Sequence, residues 1–211
     1  MQYTNTSGLK DNVTIEIGYM RRYPILKTDT TAAFKHIGTQ ETFPVRTPTK
    51  EELFANKLCA LLYRKTSRDL FDVYQITKMN MNHTVLRKCA IVDSLMRGKP
   101  KLYEINIEET IDEIPIDSSL KNLLQTEKLS KFDFIQMTKQ TIRFSKETIA
   151  KLTQNEIEAI DQFFQLNTLK PDLIDRKGLF HEKIREHPAI LWALTTNLTS
   201  KPKKEGICGS R

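Results

Sequence analysis

Glycine is scarce in this chain, with seven in 211 residues, and neither G-x-x-x-x-G-K-[ST] nor G-x-G-x-x-G occurs. The phosphate-cradling loops built on those spacings are therefore excluded. Cysteine is also sparse: Cys59, Cys89 and Cys208 are odd in number and lack C-x-x-C spacing. That excludes a disulfide framework and a zinc site. The longest apolar runs, such as Cys59 to Tyr63 and Ala189 to Leu194, are too short to cross a bilayer. The N-terminus lacks the charged-then-apolar order of a secretion signal. Histidine chemistry fails on spacing. His181-Glu182 begins like H-E-x-x-H, but Arg185 holds the second histidine position and His187 comes too late for the same helical face. His36 and His83 have no nearby partner in sequence, which leaves no triad or metal hydrolase. These absences point to a soluble cytoplasmic protein, in which the Asn12, Asn82 and Asn197 triplets carry no glycosylation meaning.

What is present is ordinary for a globular chain: 39% apolar and 28% charged residues, at a length that allows one large or two small domains. The net charge of +7 suits a phosphate-rich partner, because cationic surfaces release counterions from nucleic acid. Val13, Ile15 and Ile17 alternate with Thr14, Glu16 and Gly18, as on a strand with one buried face. Thr28 to Thr31 and Gly38-Thr39 read as turns, and Thr42 to Arg46 as a short strand. From residue 47 the pattern turns helical, with two helices over 50–80 broken at Lys65-Thr66-Ser67, where a hydroxyl can cap the second. A further helix over 83–97 is ended by Gly98 and Pro100. Leu102 to Asp117 reads as a solvated loop or edge. Residues 118–165 are helical again, with Phe132, Ile135, Ile142, Ile149 and Leu152 as expected core, and Trp192 as an anchor of the last helices. The expected division is 1–80, then 81–199 as a helical domain, then a disordered basic tail at 200–211.

The stretch from Thr47 to Gln75 carries most of the information. Thr49 stands three residues before Glu52, so its hydroxyl can cap the helix while Glu52 reaches back to complete a capping box. Leu53, Phe54, Leu58, Leu61 and Leu62 form an apolar stripe. Lys57 lies between Leu53 and Leu61 on one helical row, with Arg64 seven residues on and Arg68 beyond. A lysine so placed costs desolvation unless an anion meets it, and Asp69 and Asp72 are the only clustered carboxylates close by.

Glu52-Leu53, Ala55, Lys57-Leu58, Ala60-Leu61, Arg64 and Arg68-Asp69-Leu70-Phe71-Asp72 together resemble the AbiEii-type toxin family of nucleotidyltransferases. Val13 to Arg22 is similar to the strand that carries a third acidic residue in such enzymes, and the His187-Pro188-Ala189-Ile190-Leu191-Trp192 end is a weaker match. The resemblance implies an α+β architecture: a partial nucleotidyltransferase-type β-sheet with flanking helices, then a mostly helical C-terminal domain. It implies nucleotide transfer from a nucleoside triphosphate to an acceptor such as tRNA, with Mg2+ as cofactor and a winged-helix antitoxin as partner.

By the same resemblance Glu16 becomes a metal ligand, Lys57 a triphosphate contact, Asp69 the group that orients Lys57 or an attacking group, and Arg64 and Arg68 nucleotide-binding residues. Asp72 is expected to be structural. Each has a plainer alternative: a solvent-facing strand acid for Glu16, a snorkelling lysine for Lys57, helix-start acids for Asp69 and Asp72, and ion-pair partners for the arginines. One family element is missing. The Gly-Ser turn followed by Asp-x-Asp occurs nowhere in the 211 residues. The expectation is that the chain is the C-terminal part of a longer or split protein, inactive in transfer without that segment. A non-catalytic module that holds a nucleotide, RNA or a protein is the alternative.

Overall fold

The computed structural model describes residues 2–4, 8–12, 18–35, 41–122, 124 and 132–199. The architecture is α+β. Among the described residues the strands form two separate antiparallel pairs: β1 (Gln2–Thr4) with β2 (Lys10–Asn12), and β3 (Asp29–Lys35) with β4 (Thr42–Pro48). The helices are α1 (Lys50–Arg64), α2 (Ser67–Ile76), α3 (His83–Arg97), α4 (Ile107–Asp112), α5 (Ser118–Lys121), α6 (Phe134–Ile149), α7 (Gln154–Leu166), α8 (Pro171–Ile174) and α9 (Pro188–Thr199). Short 3-10 turns cover Leu102–Glu104 and Ile184–Glu186. The Val13–Ile17 strand, the Gly38-Thr39 turn and the 200–211 tail fall outside the described residues.

α3 is the central helix. Leu86, Cys89, Ala90, Ile91, Val92 and Leu95 are all fully buried, so apolar contact surrounds nearly its whole circumference. α1, α6, α7 and α9 pack around it, and one continuous buried cluster runs from Ile25 to Ala193. The packing of α1 on α3 crosses residue 80, where the sequence suggested a boundary. Two ion pairs fasten α3 to its neighbours: Arg87 with Glu156 of α7, and Lys88 with Asp175. Burial would push the Asp175 carboxyl up, but Lys88 and the amides of Leu179 and Lys177 outweigh it and hold it below the usual range.

Local chemistry explains most helix ends. Thr49 caps α1 by accepting from the Glu52 amide at 3.4 Å, and Thr66 caps α2 by accepting from the Asp69 amide at 3.3 Å. Between them Lys65 turns the chain with a left-handed φ of 55°. Three expectations are corrected. Thr28–Thr31 is the entry to strand β3, whose threonines and alanines pair with β4 in register from Asp29↔Pro48 to Lys35↔Thr42. Leu102 to Asp117 contains a 3-10 turn and α4, capped by the Asn106 side chain, rather than an open loop. Trp192 and Ile135 are exposed: the buried row of α9 is Ala189, Ile190 and Ala193, and Trp192 points away from it. No helix among the described residues is long and apolar enough to cross a membrane.

Candidate active site

Glu52, in the first turn of α1, is buried, but its carboxylate does not close the expected capping box. It accepts instead from the backbone amides of Ile25 at 2.9 Å and Leu26 at 3.1 Å. The same segment bonds the stretch before α9: the His181 amide donates to the Ile25 carbonyl, and the Lys27 amide to the Leu179 carbonyl. Glu52 thus locks the Ile25-Leu26-Lys27 segment between α1 and the approach to α9. Burial raises the Glu52 carboxyl above its ordinary value, against the pull of the two amides and the nearby Arg21.

This lock shapes a cleft of about 530 Å3 whose walls include Arg21, Arg22 and Arg46, the start of α1, and Tyr23 stacked on His181 with ring centroids 5.5 Å apart. Arg46 pairs with Asp29 across the β3–β4 hairpin. A second hollow of about 360 Å3 lies along the row of α1 formed by Asn56, Ala60 and Arg64, and shares Arg21 and Asn56 with the first.

On the side of α1 that faces α2, two ion pairs stand in line. Lys57 Nζ donates to Asp72 at 2.7 Å, and Arg64 grips Asp69 through Nε at 3.1 Å and Nη2 at 2.5 Å. The pairing expected between Lys57 and Asp69 is not formed. Asp69 is buried and its oxygens are occupied, because Thr66 Oγ1 also donates to it at 2.7 Å. Asp72 is half-exposed, as is Lys57, and Leu53 is exposed as well. A solvent-facing pair of this kind contributes only about 0–1 kcal/mol, so an incoming phosphate can take Lys57 from Asp72 at little cost. Arg68 is exposed in the first turn of α2. Glu16, the expected metal ligand, falls outside the described residues.

The residue that sequence reasoning missed is Asp93, in the middle of α3 and fully buried. One oxygen accepts from Arg21 and from Asn56 Nδ2 at 3.2 Å, and the other from Arg97 Nε at 2.7 Å. A signal was available: Asp93 is the one charged residue in the run Cys89 to Met96, and an acid there is buried unless the helix is on the surface. Among the described residues no group of three His, Cys, Asp or Glu side chains could hold a metal ion. Asp69, Asp72 and Asp93 are each already paired with cations, so these three acids do not by themselves form a magnesium site.

Residues 1–173 match a family model described as nucleotidyl transferase AbiEii toxin, type IV toxin–antitoxin system. No curated protein and no solved structure matches the chain significantly.

Proposed function

Because the chain belongs to the AbiEii nucleotidyl transferase toxin family of type IV toxin–antitoxin systems, we propose that it transfers a nucleotide from a nucleoside triphosphate to an acceptor. The proposed acceptor is tRNA and the proposed partner a winged-helix antitoxin, both from the family resemblance. The observation that carries the reading is the loosely held Lys57–Asp72 pair on the edge of the motif helices. Lys57 is a mobile point charge that can leave Asp72 for the triphosphate and neutralise charge as the phosphoryl bond breaks. Asp72 keeps Lys57 oriented in the empty site and is left free to accept a proton or a hydrogen bond once Lys57 has turned away. Asp69 fixes the α1–α2 turn through Arg64 and Thr66, which positions Asp72 one helical turn further on.

Magnesium is proposed on resemblance alone, with Glu16 as its ligand in this chain. One observation favours a second reading. With no Asp-x-Asp in the sequence, and no three-donor cluster among the described residues, the chain can hold a nucleotide without transferring it. Calorimetric titration with each nucleoside triphosphate tests what both readings share. One triphosphate should bind, and Lys57→Ala should weaken it roughly 10- to 100-fold, the worth of a charge-assisted contact. Equal binding by wild type and Lys57→Ala would remove Lys57 from the site under either reading. Label transfer to RNA then separates them.

A further inference from the structure

The hollow along Asn56, Ala60 and Arg64 has an unusual wall. It is lined by three arginines and no acid: Arg64 from the end of α1, Arg97 from the end of α3, and Arg21 from the segment before β3. Met20 and Met96 supply apolar surface beside them. Each guanidinium is held from behind by a buried carboxylate, Arg21 and Arg97 by Asp93 and Arg64 by Asp69. The Asp93 side chain is 0% exposed and that of Asp69 3%, whereas those of Arg21 and Arg64 are 42% and 60% exposed. The buried Glu52 carboxylate is also near Arg21, so three cations face three buried acids, and the guanidiniums of Arg21 and Arg64 are the parts turned to solvent. A guanidinium has five N–H donors, and the bonds to Asp93, Asp69 and the Asn56 carbonyl use no more than two on each arginine. One arginine would neutralise Asp93. Two arginines and an amide on a single buried carboxylate instead fix a donor array whose outer edges remain unfilled.

We propose that this hollow is a phosphate-binding subsite for an organic phosphate, in which Arg21, Arg64 and Arg97 close on one phosphate group and Asp93 is a positioning residue. Fixed guanidinium forks suit phosphate oxygens, and the methionines suit the sugar or base attached to them. Arg64 follows Lys57 by seven residues of α1, a rise of about 10 Å, so the subsite lies within reach of the same bound nucleotide or of a strand presented to it. The inference rests on the transfer reading only for the source of the phosphate. A nucleotide's own phosphate chain and a nucleic-acid backbone share the chemistry.

The test is binding to the whole chain in the Lys57→Ala background, which removes the Lys57 site and needs no transfer. Two probes are used, inorganic pyrophosphate for a nucleotide tail and a fluorescent short oligoribonucleotide for a backbone. At least one should bind, and Arg21→Gln or Arg97→Gln should weaken it about tenfold or more, with salt weakening it further. Asp93→Asn should weaken it similarly without touching the probe. Arg21 is half-exposed, so if Asp93→Asn or Arg97→Gln fails to fold, Arg21→Gln decides. Binding of one probe alone names the source. No binding of either probe, or binding unchanged by Arg21→Gln, overturns the subsite. A chain that transfers no nucleotide can still pass this test, and one that transfers can fail it.

Discussion

His187 shows what one side chain contributes. Its Nδ1 accepts from the Ala189 amide at 3.2 Å, which caps α9, and its Nε2 lies 3.1 Å from the Tyr23 carbonyl. Both bonds are made only by the neutral ring protonated on Nε2. Burial lowers its pKa below the ordinary 6.5, partly opposed by the Tyr23 carbonyl. Just below pH 6.5 the unfolded chain therefore takes up a proton that the folded chain refuses, so stability rises with pH through that window. The His187 contribution is whole above pH 6.5 and is lost as pH falls toward the lowered value. Thermal melts from about pH 7.5 to 5.5 should show a fall in Tm that is shallower in His187→Gln, and an identical slope would refute this. Glu52 is a second single-residue lock. Glu52→Ala strands two buried amides and should cost about 2–4 kcal/mol by denaturant unfolding. The spacing Thr49 to Glu52 was legible as a helix start, yet the partner of Glu52 was not. Its amides lie 26 and 27 residues upstream, and only tertiary packing brings them to it.

At the scale of elements, the start of α1 and the break before α2 were legible, because hydroxyl caps are local chemistry, whereas α2 ends at Ile76, short of the expected residue 80. Thr66 both caps α2 and donates to Asp69, so Thr66→Ala should cost about 1–2 kcal/mol, measured by urea unfolding. The same change should loosen Arg64, whose partner Asp69 loses its second donor. What sequence spacing could not settle was which aspartate meets which cation. Asp69 and Asp72 are one turn apart, and the choice depends on how α2 folds back on α1. β3 was missed for a related reason. Its residues Asp29 to Thr31 have turn chemistry, and pairing with β4 on an exposed hairpin overrides it.

For the whole molecule, the α+β class was legible from the shift between strand-like and helical patterns, while the extent of the core was not. The buried cluster joins the Ile25–Leu26 segment, α1, α3, α7 and α9, elements far apart in sequence. Leu86 is fully buried at its centre, and Leu86→Ala should cost about 2–5 kcal/mol. Wild type should then unfold in one transition seen alike by far- and near-ultraviolet circular dichroism, and two separated transitions would show the cluster to be two units. The central claim, nucleotide transfer carried by Lys57, is tested most directly by incubating RNA with labelled nucleoside triphosphate. The reaction is run with the 211 residues and with any upstream extension of their reading frame. The account predicts labelled RNA in at least one of these, reduced about 100-fold or more by Lys57→Ala and strongly by Asp72→Asn. Labelling that survives Lys57→Ala, or no labelling from any form of the chain, would contradict it.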